Sequence, residues 1–264
     1  MLNSQNDDIK KFNKYKDLFK EYQQYFEAPY SNTEHFIKDY ESIRDNFLKY
    51  KPYYEHYTKD YRKNSSYILL GNQSYEFITP NKFSELMTKT NISPNEKLIL
   101  NNSYIGTEFS WKLNSKLRES KDLTEHELLI KKVLQSVIHK NFLSDNYLCK
   151  KYTHFDYIQK VFGINPLNLD DEKLENQLEM HIGEIKEEKG FMSCSMTNNQ
   201  VISGECLLKV YVHSGTKAFI TDNVKETEVI FDCNTKYLLL KCEVNSKNKT
   251  RVILHILIVR LKEE

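Results

Sequence analysis

Two stretches decide how this chain is read: GFMSCSMT, Gly190 to Thr197, and KETEVIFD, Lys225 to Asp232. Both are short and apolar at their centres, which reads as β-strand. Side chains two apart on a strand point the same way. On that rule Ser193 and Ser195 share one face, and so do Glu226 and Glu228. Taken alone, Glu-x-Glu is a common pattern that suits two solvent-facing acids equally well. A chemical role for the pair needs further residues, in order, elsewhere in the chain.

Around these stretches the texture after Asn146 is that of strands: YLCKKY, CLLKVYVH, KAFITD, KYLLLKCEV and RVILHILIVRL, with HSGTKA and DCNTKY as turns. Before Asn146 the texture is helical. Ile9, Phe12, Tyr15, Leu18, Phe19, Tyr22, Tyr25 and Phe26 recur every three or four residues, an apolar stripe suited to packing or to docking a partner. A similar stripe runs from Phe36 to Leu48. Ser93 before Pro94 has the pattern of a helix start, and Thr124 is placed to cap a helix through Lys140. That helix presents Leu128, Leu129, Val133, Leu134 and Val137. Helices followed by strands indicate an α+β fold. We divide the chain into a helical extension over residues 1–65 and a larger domain over 66–264.

The chain has 264 residues and a net charge of +1, so the overall balance gives no nucleic-acid footprint. Its 7 glycines and 5 prolines are too few for low-complexity disorder. The five cysteines (Cys149, Cys194, Cys206, Cys233 and Cys242) include no C-x-x-C pair and several sit in strand-like runs, so they read as reduced, buried thiols. The histidines have no metal-ligand spacing, His126 being an ordinary helix position. The start, MLNSQNDDIKK, lacks a signal-peptide pattern, and the longest apolar runs are too short to span a bilayer. The expectation is a soluble chain without metal.

YIGTEFSWKLNSKLR, Tyr104 to Arg118, supplies the further residues. It resembles the helix before the NAD site of bacterial mono-ADP-ribosyltransferase toxins, which ends apolar-Asn-x-x-Leu-Arg, here Leu113, Asn114, Leu117 and Arg118. YLCKKY followed by FDY resembles the family's first strand. GFMSCSMT is similar to its Ser-Thr-Ser strand, LLKVYVHSGTKAFI to its strand–turn–strand, and ETEVIFDCNTKYLL to its Glu-x-Glu strand. The matches run in order over roughly residues 90 to 245. The pattern resembles especially the enzymatic components of clostridial and bacillus binary toxins and the smaller Rho-modifying exoenzymes. The resemblance implies a two-sheet β-sandwich with a central NAD cleft and helices packed around it.

It also implies roles. Glu228 stabilises the cationic ribose formed when the nicotinamide bond breaks, and Ser193 holds Glu228. Glu226 faces the acceptor; in the family Glu there goes with arginine acceptors and Gln with asparagine. NAD is the second substrate, gripped by the first strand, where the family's arginine is replaced by Lys150, with Lys151 beside it. Lysine keeps the charge but loses the bidentate fork. Tyr104 and Asn114 are placed to stack on or hydrogen-bond the nicotinamide end, and core packing is an equal reading for Tyr104. The segment TDNVK is short and lacks the aromatic that relatives use to select a protein. The implied activity is that of a toxin or effector, leaving the cell by a non-Sec route or delivered into host cytosol. Its acceptor is a host protein, actin being the usual target of binary-toxin relatives. Two alternatives stay open: a catalytically impaired module that binds a translocation subunit or other partner through its helical extension, and an NAD glycohydrolase without a protein acceptor.

Overall fold

The structure is a computed structural model that describes residues 74–182, 184–199 and 203–259. The aromatic stripes expected before residue 66 lie outside the described residues. Four helices come first: α1 Pro80–Thr88, α2 Pro94–Ser103, α3 Glu108–Arg118 and α4 Glu125–His139. Their starts follow local chemistry. Ser93 and Glu96 form a reciprocal capping box on α2, and Thr124 and Glu127 form one on α4. Each cap satisfies amide donors that would otherwise lack partners and contributes about 1 kcal/mol. Glu127 also accepts from Lys116 Nζ at 2.8 Å, which ties α3 to α4.

The buried face of α4 differs in phase from the one expected. Ile130, Leu134, Val137 and Ile138 are fully buried, whereas Leu128 and Leu129 are exposed. The spacing i, i+4, i+7, i+8 makes one continuous stripe, and the two early leucines lie off it.

The remaining elements are β1 Tyr147–Thr153, α5 Phe155–Phe162, α6 Asp171–Glu179, β2 Ile185–Glu188, β3 Met192–Ser195, β4 Cys206–Val212, β5 Phe219–Ile220, β6 Glu228–Phe231, β7 Thr235–Val244 and β8 Val252–Ile258. FDY, expected as part of the first strand, instead opens α5. Tyr157, Ile158 and Phe162 give that segment a helical buried face, and Gly163 closes it in the left-handed conformation at φ 72°. Neither α6 nor β2 was expected, since charged residues dominate both.

The strands are bonded in the order β2-β7-β8-β4-β1-β3-β6-β5. Every pairing is antiparallel except β4 with β8. Between β1 and β3 the register holds a single pair, Lys150 with Ser195. The order therefore divides into a five-stranded and a three-stranded part, which is the form the expected two-sheet arrangement takes. One core cluster draws on both parts, with Leu208 and Leu254 from the larger and Cys194, Val229 and Phe231 from the smaller. A second cluster packs α2, α3 and α4 on the other face of the three-stranded part, against Phe191, Phe219 and Ile230. All five cysteines are free and buried.

Candidate active site

β3 and β6 run antiparallel with Ser195 opposite Glu228 and Ser193 opposite Ile230. Strand alternation sends Cys194 and Val229 into the first core cluster. Ser193, Ser195 and Glu228 therefore lie on the face turned towards α2, α3 and α4. Glu228 is 8% exposed. Both of its carboxylate oxygens accept hydrogen bonds: Oε1 from Ser193 Oγ, and Oε2 from Thr221 Oγ1 at 3.2 Å. Burial raises its pKa above the ordinary carboxylate value; the two hydroxyls pull it back down, and the Glu226 charge pushes it further up. A buried carboxylate held at both oxygens keeps one orientation and is poorly shielded by water, which suits stabilisation of a nearby cation.

Glu226 does not share a strand with Glu228. β6 begins at Glu228, and Glu226 sits half-buried on the preceding turn. Thr227 between them has φ 48°, a left-handed conformation, so the two-residue alternation read from the sequence does not apply. Glu228 nevertheless feels the charge of Glu226.

Ser195 has a different partner from Ser193. Its hydroxyl meets Thr227 Oγ1 at 2.9 Å, and Thr197 Oγ1 meets the same atom at 2.8 Å.

Asn114 and Tyr104 form the wall behind β3. Asn114 Oδ1 accepts from Phe191 N at 2.7 Å, and its Nδ2 donates to Tyr104 Oη at 3.0 Å. Tyr104 is buried edge-on against Phe191, with ring centroids 5.9 Å apart. Its ring is thus in the core, the second of the two readings open from the sequence, with the Asn114 bond and the Phe191 edge satisfying its polar and apolar parts. Gly190 lets the segment come this close: a Cβ there would stand 3.0 Å from Asn114 Oδ1 and 3.3 Å from Glu188 Oε1.

The two lysines of β1 point to opposite faces. Lys150 is buried, donates to Asn198 O at 2.8 Å and lies over the rings of Phe77 and Tyr152. That leaves its ammonium engaged with the protein. Lys151 is half-buried and has no hydrogen bond or ion pair among the described residues. Burial depresses its pKa; Glu188 and Glu228 oppose that shift, and Arg118 adds to it. Lys151 therefore shares the electrostatic neighbourhood of Glu228, and Arg118 that of Lys151. Arg118 Nε donates to Glu188 Oε1 at 2.8 Å, and Glu188 also accepts from Gly190 N at 2.9 Å. The sequence reading missed Thr221, Thr227 and Glu188 as site-forming residues; Arg118 was visible only as the end of the resembling motif. Among the described residues no group of three His, Cys, Asp or Glu side chains is placed to hold a metal. None of the described helices is long and apolar enough to cross a membrane.

Residues 70–260 match the family model described as ADP-ribosyltransferase exoenzyme, and the chain belongs to that family. It is an ADP-ribosyltransferase, and NAD is its substrate. Among solved structures, the C3 exoenzyme of Clostridium limosum aligns with a TM-score of 0.59 at 17% identity, covering 70% of this chain and 97% of that one. C3stau2 of S. aureus, solved with NAD, gives 0.59 at 18%, covering 72% and 98%. BECa, the ADP-ribosylating component of a binary enterotoxin of C. perfringens, solved with NADH, gives 0.56 at 16%, covering 72% of this chain but 49% of that one. No curated protein matches the chain in sequence.

Proposed function

We propose that the chain transfers ADP-ribose from NAD to an arginine of a protein, with Glu228 and Glu226 in separate roles. One observation carries this reading. Two carboxylates close enough to interact have unlike settings: Glu228 is buried and held at both oxygens, whereas Glu226 is half-buried on a turn.

As the bond between nicotinamide and ribose C1′ breaks, its electron pair leaves with nicotinamide and positive charge grows on the sugar. Glu228, oriented by Ser193 and Thr221, stabilises that charge. Glu226 pairs with the incoming guanidinium, which is cationic near neutral pH. As a guanidinium nitrogen bonds to C1′, Glu226 accepts the proton it sheds. Lys151 and Arg118 suit the two negative charges of the NAD diphosphate. Lys151 offers an ammonium with no partner among the described residues, and Arg118 offers the part of its fork that Glu188 does not take. Asn114 and Tyr104 support the β3 wall, and Lys150 stays outside the NAD contacts.

Residues 1–65 are read as an extension that docks a partner such as a translocation subunit, and 66–264 as the catalytic domain. A secreted toxin or effector acting in host cytosol fits the family. Actin or another host protein is the acceptor in this reading. The test is incubation with labelled NAD and a eukaryotic lysate, followed by mapping of the modified residue. Label on arginine is expected; label on asparagine, or hydrolysis unaffected by added protein, contradicts the arginine assignment.

A further inference from the structure

We infer that Thr227 is a positioning residue that couples NAD cleavage to acceptor transfer, by fixing where Glu226 stands relative to Glu228; this rests on the acceptor role proposed for Glu226. Thr227 adopts φ 48°. For a β-branched residue that region is unfavourable and is kept only where the surroundings impose it. The surroundings do impose it here. Thr227 is buried, and its Oγ1 lies 2.9 Å from Ser195 Oγ, 2.8 Å from Thr197 Oγ1 and 2.7 Å from Glu226 O, to which it donates. Its carbonyl accepts from Met196 N at 3.0 Å. A buried cluster of hydroxyls thus clamps the one residue that separates the two acids.

The other end of the loop is held as well. Asp222 pairs with Lys97 Nζ at 3.1 Å and accepts from Asn101 Nδ2 at 2.9 Å, both on α2. Inside the loop, Thr221 Oγ1 donates to Glu228 and accepts from Asn223 N, while Asn223 Oδ1 accepts from Glu226 N at 3.3 Å. A path of hydrogen bonds therefore runs from one acid to the other through Thr221 and Asn223, and the left-handed Thr227 closes it. Because Glu228 keeps its hold on Ser193 and Thr221 whatever happens at Thr227, loss of the clamp moves Glu226 first.

The experiment measures protein ADP-ribosylation and NAD hydrolysis side by side in Thr227→Val, Thr227→Gly and Thr227→Ser. Val removes the hydroxyl and keeps the shape. Gly removes the hydroxyl and also the backbone strain, so it reports even where Val fails to fold. In both, the ratio of transfer to hydrolysis should fall roughly tenfold, the scale expected when a reacting group is displaced by a fraction of an ångström, with KM for NAD little changed. Thr227→Ser restores the ratio. An unchanged ratio in Thr227→Gly, or equal loss of both activities, overturns the inference. Glu226→Ala in the same assay separates the two ideas. If it fails to uncouple transfer from hydrolysis, the acceptor role of Glu226 is wrong. If it uncouples them and the Thr227 variants do not, only the clamp is wrong.

Discussion

Glu228 opens a strand and Glu226 lies in the turn before it, and the one residue between them separates two environments. Across that residue, burial gives way to partial exposure, and an acid held by two hydroxyls gives way to one whose position is set by the backbone. On the proposed reading, this difference lets a single loop serve both partners of a transfer reaction. The acid proposed to face the transient cation is shielded and fixed, and the acid proposed to meet the protein acceptor is left partly accessible.

The largest expected effect breaks the comparison at its buried side. Glu228→Gln keeps the shape and removes the charge, so nicotinamide release should fall at least about a hundredfold, as when one preorganised electrostatic contribution is lost. The same variant should melt at a higher temperature near neutral pH. Burial raises the pKa of Glu228 in the folded state, so keeping it ionised costs stability once pH exceeds the ordinary carboxylate value. A variant that is slower without being more heat-stable would mean the carboxylate is not strained by its burial.

Next is the pair of lysines on β1, which presents the same contrast between an engaged and an available group. Lys151→Ala should raise KM for NAD roughly tenfold, about the value of one charge-assisted contact to phosphate. Lys150→Ala should instead lower stability, because it leaves the Asn198 carbonyl without its donor. Equal effects on KM would show that strand alternation does not sort these two cations.

The smallest effect sharpens the comparison by pH. In the proposed role Glu228 acts ionised, so NAD hydrolysis should be lost as pH falls through the raised pKa of that group. Removing the Ser193 hydroxyl (Ser193→Ala) should move this acid limb to higher pH. Removing the neighbouring charge (Glu226→Ala) should move it to lower pH. A pH–rate profile of nicotinamide release for the three proteins checks both signs.

Much of this arrangement can be read in the residues. The caps at Ser93 and Thr124 follow from side chains able to reach their own helix amides, and the order of the motifs brings Ser193 to Glu228. Other parts leave no local trace. FDYIQKVF has the aromatic and branched content of a strand, yet packing selects a helix. IKEE has no apolar alternation and becomes a strand through its pairing with β7. Thr221 stands where the strand-like KAFITD runs into the polar segment TDNVK and carries no signal of a site role, and nothing in a threonine signals φ 48° at position 227, where tertiary hydroxyl bonds override local preference. Lys150 and Lys151 are equivalent in sequence, and the surroundings of β1 alone distinguish them.

The division of labour between the acids is tested most directly by measuring protein transfer and NAD hydrolysis together in Glu226→Ala and Glu228→Gln. The account predicts that Glu228→Gln loses both in parallel, while Glu226→Ala loses transfer and retains part of its hydrolysis. Parallel loss of both activities in Glu226→Ala would contradict it.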